Sequence, residues 1–230
     1  MTDAQTLAKK DVVEAFMALV AERGADGVEV GDIAQHLNVP LFELRRHMDT
    51  PLDLLEAFER EIDRQVLERV PDELMQDPPR ERIFDVLMMR FDAFMPYKPA
   101  LKELFREARR NPIFLAAWNR IAVRSQYWML VAAGLSPKGA RGMAQAQGMV
   151  FVFGRAFQVW LKDDDPGMAR TMAELDRRLR GAERNMRRVR GLSRLAAPLR
   201  FLTRRRQRYP TEPAPEFDDP PYRESSRTTH

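Results

Sequence analysis

Residues 28–48 read VEVGDIAQHLNVPLFELRRHM, and this stretch decides the fold. Its first half places apolar residues at helical spacing, and Asn38 followed by Val39 interrupts the pattern. Pro40 can then begin a second short helix, which we predict to extend to Met48. Two short helices joined by a tight turn predict a helix-turn-helix. The inward positions are Val30, Ile33, Ala34, Leu37, Leu44 and Met48.

A longer helix precedes this stretch and ends where Gly24 can adopt a left-handed cap. Its apolar residues recur at helical spacing, so this helix and the two that follow share one small core. The apolar stripe consists of Val12, Val13, Phe16, Met17, Leu19 and Val20.

The first quarter of the chain resembles the N-terminal domain of the TetR family of one-component transcription regulators. The matching pattern contains a glycine at the end of the first helix, then a turn, and then a second short helix. It implies an all-α, TetR-like fold with a three-helix helix-turn-helix domain, a larger helical ligand-binding and dimerisation domain, a homodimer, operator DNA and a hydrophobic small molecule or lipid as ligand. The matching residues are Ala15, Leu19, Gly24, Ile33, Ala34, Val39, Leu44, His47 and Met48.

The recognition helix departs from the family pattern. Where the family holds DNA phosphates with Lys, Thr, Tyr and a second Lys, this chain has Leu41, Glu43, Arg45 and Pro51. Only Arg45 keeps that chemistry, and Arg46 adds one further cation. The candidates for DNA contact are Lys9, Lys10, Phe42, Arg45, Arg46 and His47.

The charge of residues 1–50 leaves two interpretations open. They contain five Lys or Arg and nine acidic residues, a net charge of −4, whereas non-specific DNA affinity needs a cationic surface. The cationic side chains can still share one face with the acids opposite. Alternatively, the domain keeps the fold without binding DNA, and Leu41 and Phe42 pack on a partner or a lipid.

The remaining composition excludes several classes. With 230 residues the chain can bury a real core, and without cysteine it has no disulfide, thiolate metal site or thiol nucleophile. The sequence shows no Ser/His/Asp grouping, phosphate loop or paired acids, so we expect no enzyme and no cofactor. The three histidines lack metal-ligand spacing. No apolar run reaches membrane-span length, and we expect a cytoplasmic protein.

The larger domain is predicted over residues 51–190. Thr50, Pro51 and Asp53 form a helix-start signal, and further helices follow to about Arg190. Aromatic and methionine side chains at helical spacing can line a ligand pocket or form plain core, and the spacing does not separate these alternatives. The pocket candidates are Phe84, Met88, Phe91, Trp118, Trp128, Phe151 and Phe157.

A basic amphipathic helix is predicted over residues 191–206, followed by a disordered tail over residues 207–230. Residues 177–208 hold thirteen arginines and one acid, a net charge of +12. Such a helix can lie on an anionic membrane, bind nucleic acid or simply be solvated. The candidates for membrane contact are Leu192, Leu195, Leu199, Leu202, Arg200, Arg204 and Arg205.

The order of elements after Trp160 is also similar to that of the COQ9-like proteins, lipid-binding accessories of ubiquinone biosynthesis with a TetR-like fold. That resemblance implies an alternative function: a lipid- or isoprenoid-binding protein whose helix-turn-helix is structural. Its C-terminal basic helix would then dock on the inner face of a membrane.

Overall fold

The computed structural model describes the backbone of residues 7–195 and the side chains of residues 7–184. The described part of the chain contains helices and no strand, which confirms the all-α prediction. The α-helices are α1 (Lys9–Arg23), α2 (Val30–Leu37), α3 (Leu41–Leu44), α4 (Pro51–Arg69), α5 (Pro79–Phe94), α6 (Lys98–Arg110), α7 (Pro112–Ala132), α8 (Gly139–Trp160) and α9 (Ala169–Leu195).

The turn between α2 and α3 depends on Asn38. Its backbone is left-handed, with φ of 51°, and the next residue, Val39, donates its N–H to the carbonyl of Ala34 at 3.0 Å. Asn tolerates this conformation better than most residues, which explains why α2 stops there.

The second helix of the motif is shorter than the sequence predicts. Helix α3 ends at Leu44, and the N–H groups of Arg46 and His47 donate to the carbonyls three residues back, at 3.1 and 2.9 Å. These bonds form a turn that carries the chain to Met48. Arg45 and Arg46 therefore lie on the turn that follows α3 and not within the helix.

The start of α4 confirms the predicted signal. Pro51 occupies the first helical position, and the Asp53 carboxylate accepts the N–H of Thr50 at 2.7 Å and that of Asp49 at 2.9 Å. The hydrogen bond from the Thr50 N–H is the main reason that the pKa of Asp53 is lowered. The connection from the α3 turn to α4 is thus held by backbone donors on one carboxylate.

Helix α1 lies between the helix-turn-helix and α6. Its inward side chains are buried in the same core as those of α4, and Tyr97, at the start of α6, donates its hydroxyl to Glu14 of α1 at 2.7 Å. Burial, reinforced by this hydrogen bond, raises the pKa of Tyr97 to about 12. The N-terminal helices and the body therefore share one continuous core.

Aromatic rings fill the space between α5 and α8. Phe91 stacks on Phe153 with ring centroids 4.7 Å apart, and Phe157 stacks on Trp160 at 5.5 Å. Phe94 contacts three of these rings. Such contacts stabilise packing beyond the burial of apolar area, so this cluster helps to hold α5 against α8.

The C-terminal helix differs from the prediction at Gly191. Helix α9 passes through this residue without a break and continues to Leu195, whereas the sequence predicts a separate helix over residues 191–206. The chain divides into two compact units, Met1–Met186 and Arg187–His230. Leu199, Leu202, Arg200, Arg204, Arg205 and the tail lie outside the described residues, and the side chains of Leu192 and Leu195 are not described.

Asp163 anchors the turn between α8 and α9. Its carboxylate accepts the Thr171 N–H at 3.0 Å and the Thr171 hydroxyl at 2.8 Å, and Lys98 donates to its carbonyl. Burial raises the pKa of Asp163, but the hydrogen bonds from Thr171 hold it below the ordinary value of 3.8 overall.

We expect Asp163→Ala to lower the free energy of unfolding by about 1–3 kcal/mol, because two buried donors lose their acceptor. The folded-state pKa is lower than the unfolded one, so this contribution is complete above pH 3.8 and is lost as the pH falls further. Urea denaturation at several pH values and fixed protein concentration measures both effects. The exposed neighbour Asp164→Ala is the control, and an equal loss in both variants contradicts the assignment.

Candidate functional site

The predicted DNA-contacting cations lie around one cleft, which we call the α1–α4 cleft. It has a volume of about 620 Å³ and lies between the start of α1, the turn after α3 and the first half of α4. The structure thereby brings together side chains that are distant in sequence. The predicted residues that line it are Lys9, Lys10, Arg45, Arg46 and His47.

Both arginines of the turn have acidic partners. Arg45 pairs with Asp49, and Arg46 pairs with Glu43 at 3.1 Å. The two arginine side chains remain 70% and 69% exposed, and of their partners Asp49 is exposed and Glu43 is half-buried, so water reaches both pairs. Surface pairs of this kind contribute about 0–1 kcal/mol, which means that a phosphate can replace the carboxylates at little cost.

The outer face of α3 is apolar. Leu41 is 60% exposed and Phe42 is 68% exposed, although both are large hydrophobic side chains. The same short helix buries Leu44 completely. The Nε2 atom of His47, on the turn, is buried and has no hydrogen-bond partner among the described residues. The helix therefore presents two hydrophobic side chains outward, and cations follow them on the turn.

The predicted pocket residues are brought together only in part, since Trp118 contacts Phe157 with ring centroids 6.4 Å apart and the others are spread over different surfaces. Phe91 and Phe157 belong to the aromatic core, whereas Phe151 lies on the outer face of α8 and is 70% exposed. Phe84 and Met88 line a groove of about 650 Å³ beside α5. Side chains in a core, in a groove and on an outer face recur at the same helical spacing. The sequence pattern therefore does not show which of these residues face one cavity.

The two tryptophans of α7 lie near a different cavity, which we call the α4–α7 cavity. It has a volume of about 600 Å³ and is lined by Trp128, which is 50% exposed. Trp118 is half-buried nearby and donates its indole N–H to Glu59 at 3.0 Å. Leu67 and Ile121 supply apolar wall, and Glu59, Asp63 and Ser125 also line the cavity.

A buried ionic cluster lies beneath this cavity. The Arg90 guanidinium of α5 pairs with both Glu59 and Asp63 of α4, and all three residues are buried. Ser125 of α7 donates its hydroxyl to Asp63 at 2.6 Å, and the guanidinium lies 4.8 Å from the ring centre of Phe94. The cluster therefore connects α4, α5 and α7.

The cluster has one cation for two carboxylates. Burial raises the pKa of Glu59, although the Arg90 guanidinium and the Trp118 N–H oppose this shift. A dry site with excess negative charge favours a proton or another cation. The α4–α7 cavity gives access to that excess, since Asp63 lines it.

Sequence reasoning did not identify Glu59, Asp63 or Arg90. A signal was present, because Glu59 and Asp63 are one turn apart inside the apolar stripe of α4. Arg90 likewise interrupts the apolar face of α5. Charged residues on buried helix faces require partners, so these three residues could have been paired in advance.

Comparison with solved structures identifies the fold. The chain is similar to a TetR transcriptional regulator from Nitrosomonas europaea, with a TM-score of 0.61 and 19% identity over 76% of this chain and 97% of that chain. It is also similar to a TetR transcriptional regulator from Rhodococcus sp. RHA1, with a TM-score of 0.55 and 16% identity over 74% and 92%. The chain has the TetR-like fold.

Sequence comparison adds no relative, since no protein-family model and no curated protein match the chain. Within residues 7–195, no helix combines the length and apolarity that crossing a bilayer requires. Among the described residues, no group of three or more His, Cys, Asp or Glu side chains is arranged to hold a metal ion.

We expect Arg90→Met to lower the free energy of unfolding by about 3–5 kcal/mol, because two buried carboxylates lose their shared cation. Urea denaturation at fixed protein concentration measures the loss. Combining Arg90→Met with Glu59→Gln and Asp63→Asn removes the buried charges together and should recover most of the stability. A triple variant as unstable as the single one contradicts the electrostatic explanation.

Proposed function

We propose that this protein is a DNA-binding transcriptional regulator of the TetR type, acting as a homodimer and controlled by a small molecule bound in its body. The observation that best supports this proposal is the convergence of Lys9, Lys10, Arg45 and Arg46 on the cleft beside α3. In this proposal, cations from α1 and from the recognition turn hold DNA phosphates beside α3.

The acidic partners Asp49 and Glu43 adjust this interface without preventing it. Water reaches their pairs with Arg45 and Arg46, so the exchange of a carboxylate for a phosphate has a small cost. The exchange also leaves two negative charges near the DNA. The proposal therefore includes a weak phosphate interaction and a shallow dependence of affinity on salt.

Leu41 and Phe42 supply the proposed base readout. Apolar side chains on a recognition helix contact the C5-methyl group of thymine, which only T·A pairs present in the major groove. Their exposure of 60% and 68% leaves them available for this contact. An operator read in this way contains thymines opposite α3.

The proposed dimer uses the outer face of α8. Phe151 is 70% exposed there, Met143 is exposed two turns earlier, and an added Cβ at Gly148 or Gly154 meets nothing within 4 Å. A large apolar side chain flanked by small residues permits close approach of the same face of a second copy. Such a dimer must place its two α3 helices about 34–36 Å apart to occupy successive major grooves.

Helix α4 connects the two proposed activities. Its first turn continues from the recognition turn, and its third and fourth turns carry Glu59 and Asp63 beneath the α4–α7 cavity. A ligand in that cavity would act on the helix that carries the DNA-binding domain, which changes the spacing of the two half-sites. The lipid-binding alternative depends on residues 191–206, and the structural comparisons do not favour it.

The DNA proposal is tested with sequences selected from a random DNA library. Arg45→Ala with Arg46→Ala should abolish selection, whereas Glu43→Gln with Asp49→Asn should raise the affinity of the selected DNA. The Glu43→Gln, Asp49→Asn variant frees four cations per dimer. Each phosphate that a cation neutralises adds roughly 0.9 to the slope of log affinity against log salt concentration, so this slope should steepen by up to about 4. Fluorescence anisotropy over a salt series measures both quantities.

Asp72→Asn with Glu73→Gln is the matched control, since it makes the same change in net charge in the segment after α4. It should leave the salt dependence unchanged. Replacing thymine by uracil in the selected DNA removes only the methyl group and should weaken binding to wild-type protein more than to Phe42→Ala. Failure of both wild type and the Glu43→Gln, Asp49→Asn variant to select any sequence refutes the DNA proposal.

The dimer proposal predicts that Phe151→Glu yields monomers, because a carboxylate cannot be buried unpaired at the centre of an isologous contact. Light scattering after size-exclusion chromatography gives the mass. Phe42→Glu introduces the same change on α3 and should remain dimeric. Wild-type protein that is monomeric at micromolar concentration overturns the proposed interface.

A further inference from the structure

The rim and the floor of the α4–α7 cavity differ in how completely their charged side chains are paired. Around its rim, three arginines face three carboxylates: Arg124 contacts Glu56 at 2.7 Å, and Arg64 contacts Glu61 at 2.6 Å and Glu68 at 2.5 Å. Arg60 also pairs with Glu56. The rim is therefore a set of solvated pairs, and an anionic ligand would have to break them to bind.

The floor of the cavity is not compensated in this way. Glu59 and Asp63 share the single Arg90 guanidinium, which leaves one negative charge in excess. Arg90 and Ser125 both donate to Oδ1 of Asp63, so Oδ2 has no donor among the described residues. Asp63 is 92% buried by residue and lines the cavity, whereas Arg90 does not.

The walls of the cavity are apolar and aromatic. Leu67, Ile121 and Trp128 line it, and Trp128 is half exposed. An indole face beside a carboxylate attracts a cation twice, through its ring quadrupole and through the nearby charge. The same walls bind hydrocarbon through the hydrophobic effect.

We infer that the α4–α7 cavity binds an organic cation with an apolar or aromatic body, its positive charge directed at Asp63 and its body against Trp128. The cation supplies the second positive charge that the buried cluster lacks. An uncharged apolar molecule would leave that deficit in place, and an anion would increase it. This inference names the ligand class of the proposed regulator and rests on that proposal only for its regulatory meaning.

The test uses two ions of the same shape and opposite charge, tetraphenylphosphonium and tetraphenylborate. Isothermal titration calorimetry without DNA should show that the full-length wild-type protein binds tetraphenylphosphonium and that tetraphenylborate does not compete. Asp63→Asn should weaken this binding about tenfold or more, because it removes the excess charge and leaves the Arg90–Glu59 pair.

Glu68→Gln is the matched control, since it removes one carboxylate from the solvated rim of the same cavity. Its affinity should change less than about twofold. Trp128→Ala tests the wall independently of the ionic cluster: it should weaken binding, with the far-ultraviolet circular dichroism of the protein unchanged.

Three outcomes overturn the inference. They are no binding of tetraphenylphosphonium at about 1 mM, equal binding by wild type and Asp63→Asn, and binding of tetraphenylborate with similar affinity at the same site. Because DNA is absent, these outcomes are independent of operator selection. If the protein selects DNA and fails this test, the regulator proposal stands and the ligand belongs to another class. If the protein binds the cation without selecting DNA, the cation site stands and the regulator proposal is refuted.

Discussion

The buried guanidinium of Arg90 fixes the arrangement of the body. It holds Glu59 and Asp63 of α4 against α5, and through these two carboxylates it also positions Trp118 and Ser125 of α7. A charge taken out of water is tolerated only with near-complete pairing, so few arrangements of these helices satisfy the cluster. The aromatic core around Phe94 then packs against the same guanidinium.

This cluster also connects the two ends of the molecule. Helix α4 begins at the turn that carries the exposed arginines and passes over the buried carboxylates before it ends at Arg69. In the proposed regulation, a change of charge beneath the α4–α7 cavity would act on the helix that follows directly after the helix-turn-helix. The proposed regulation needs no separate relay, since one element contacts both sites.

The surface beside α3 is close to electrical neutrality. Lys9, Lys10, Arg45 and Arg46 supply positive charge, but Asp49 and Glu43 lie beside the two arginines. Non-specific attraction to DNA follows cationic charge, whereas base readout depends on the side chains in the groove. In the proposed complex, Leu41 and Phe42 would read the bases and the cations would hold the phosphates.

The sequence determined the helices and their caps, because these depend on residues within a few positions of one another. Asn38 ended α2 and Asp53 began α4 as local chemistry requires, and the glycine, turn and helix spacing led to the TetR-like fold. The predicted second helix of the motif extends beyond the observed α3, because a turn with hydrogen bonds three residues apart has nearly the same local sequence pattern as a helix.

Tertiary structure alone decided which side chains meet. Phe91, Trp128 and Phe151 share the same helical spacing but lie in core, cavity and outer face, since periodicity gives a direction within one helix and not the identity of the neighbour. The pairing of Arg90 with Glu59 and Asp63 spans about thirty residues. Only the packing of α4 on α5 brings those charges within reach. Their imbalance has a large energetic cost only because the cluster is buried away from water.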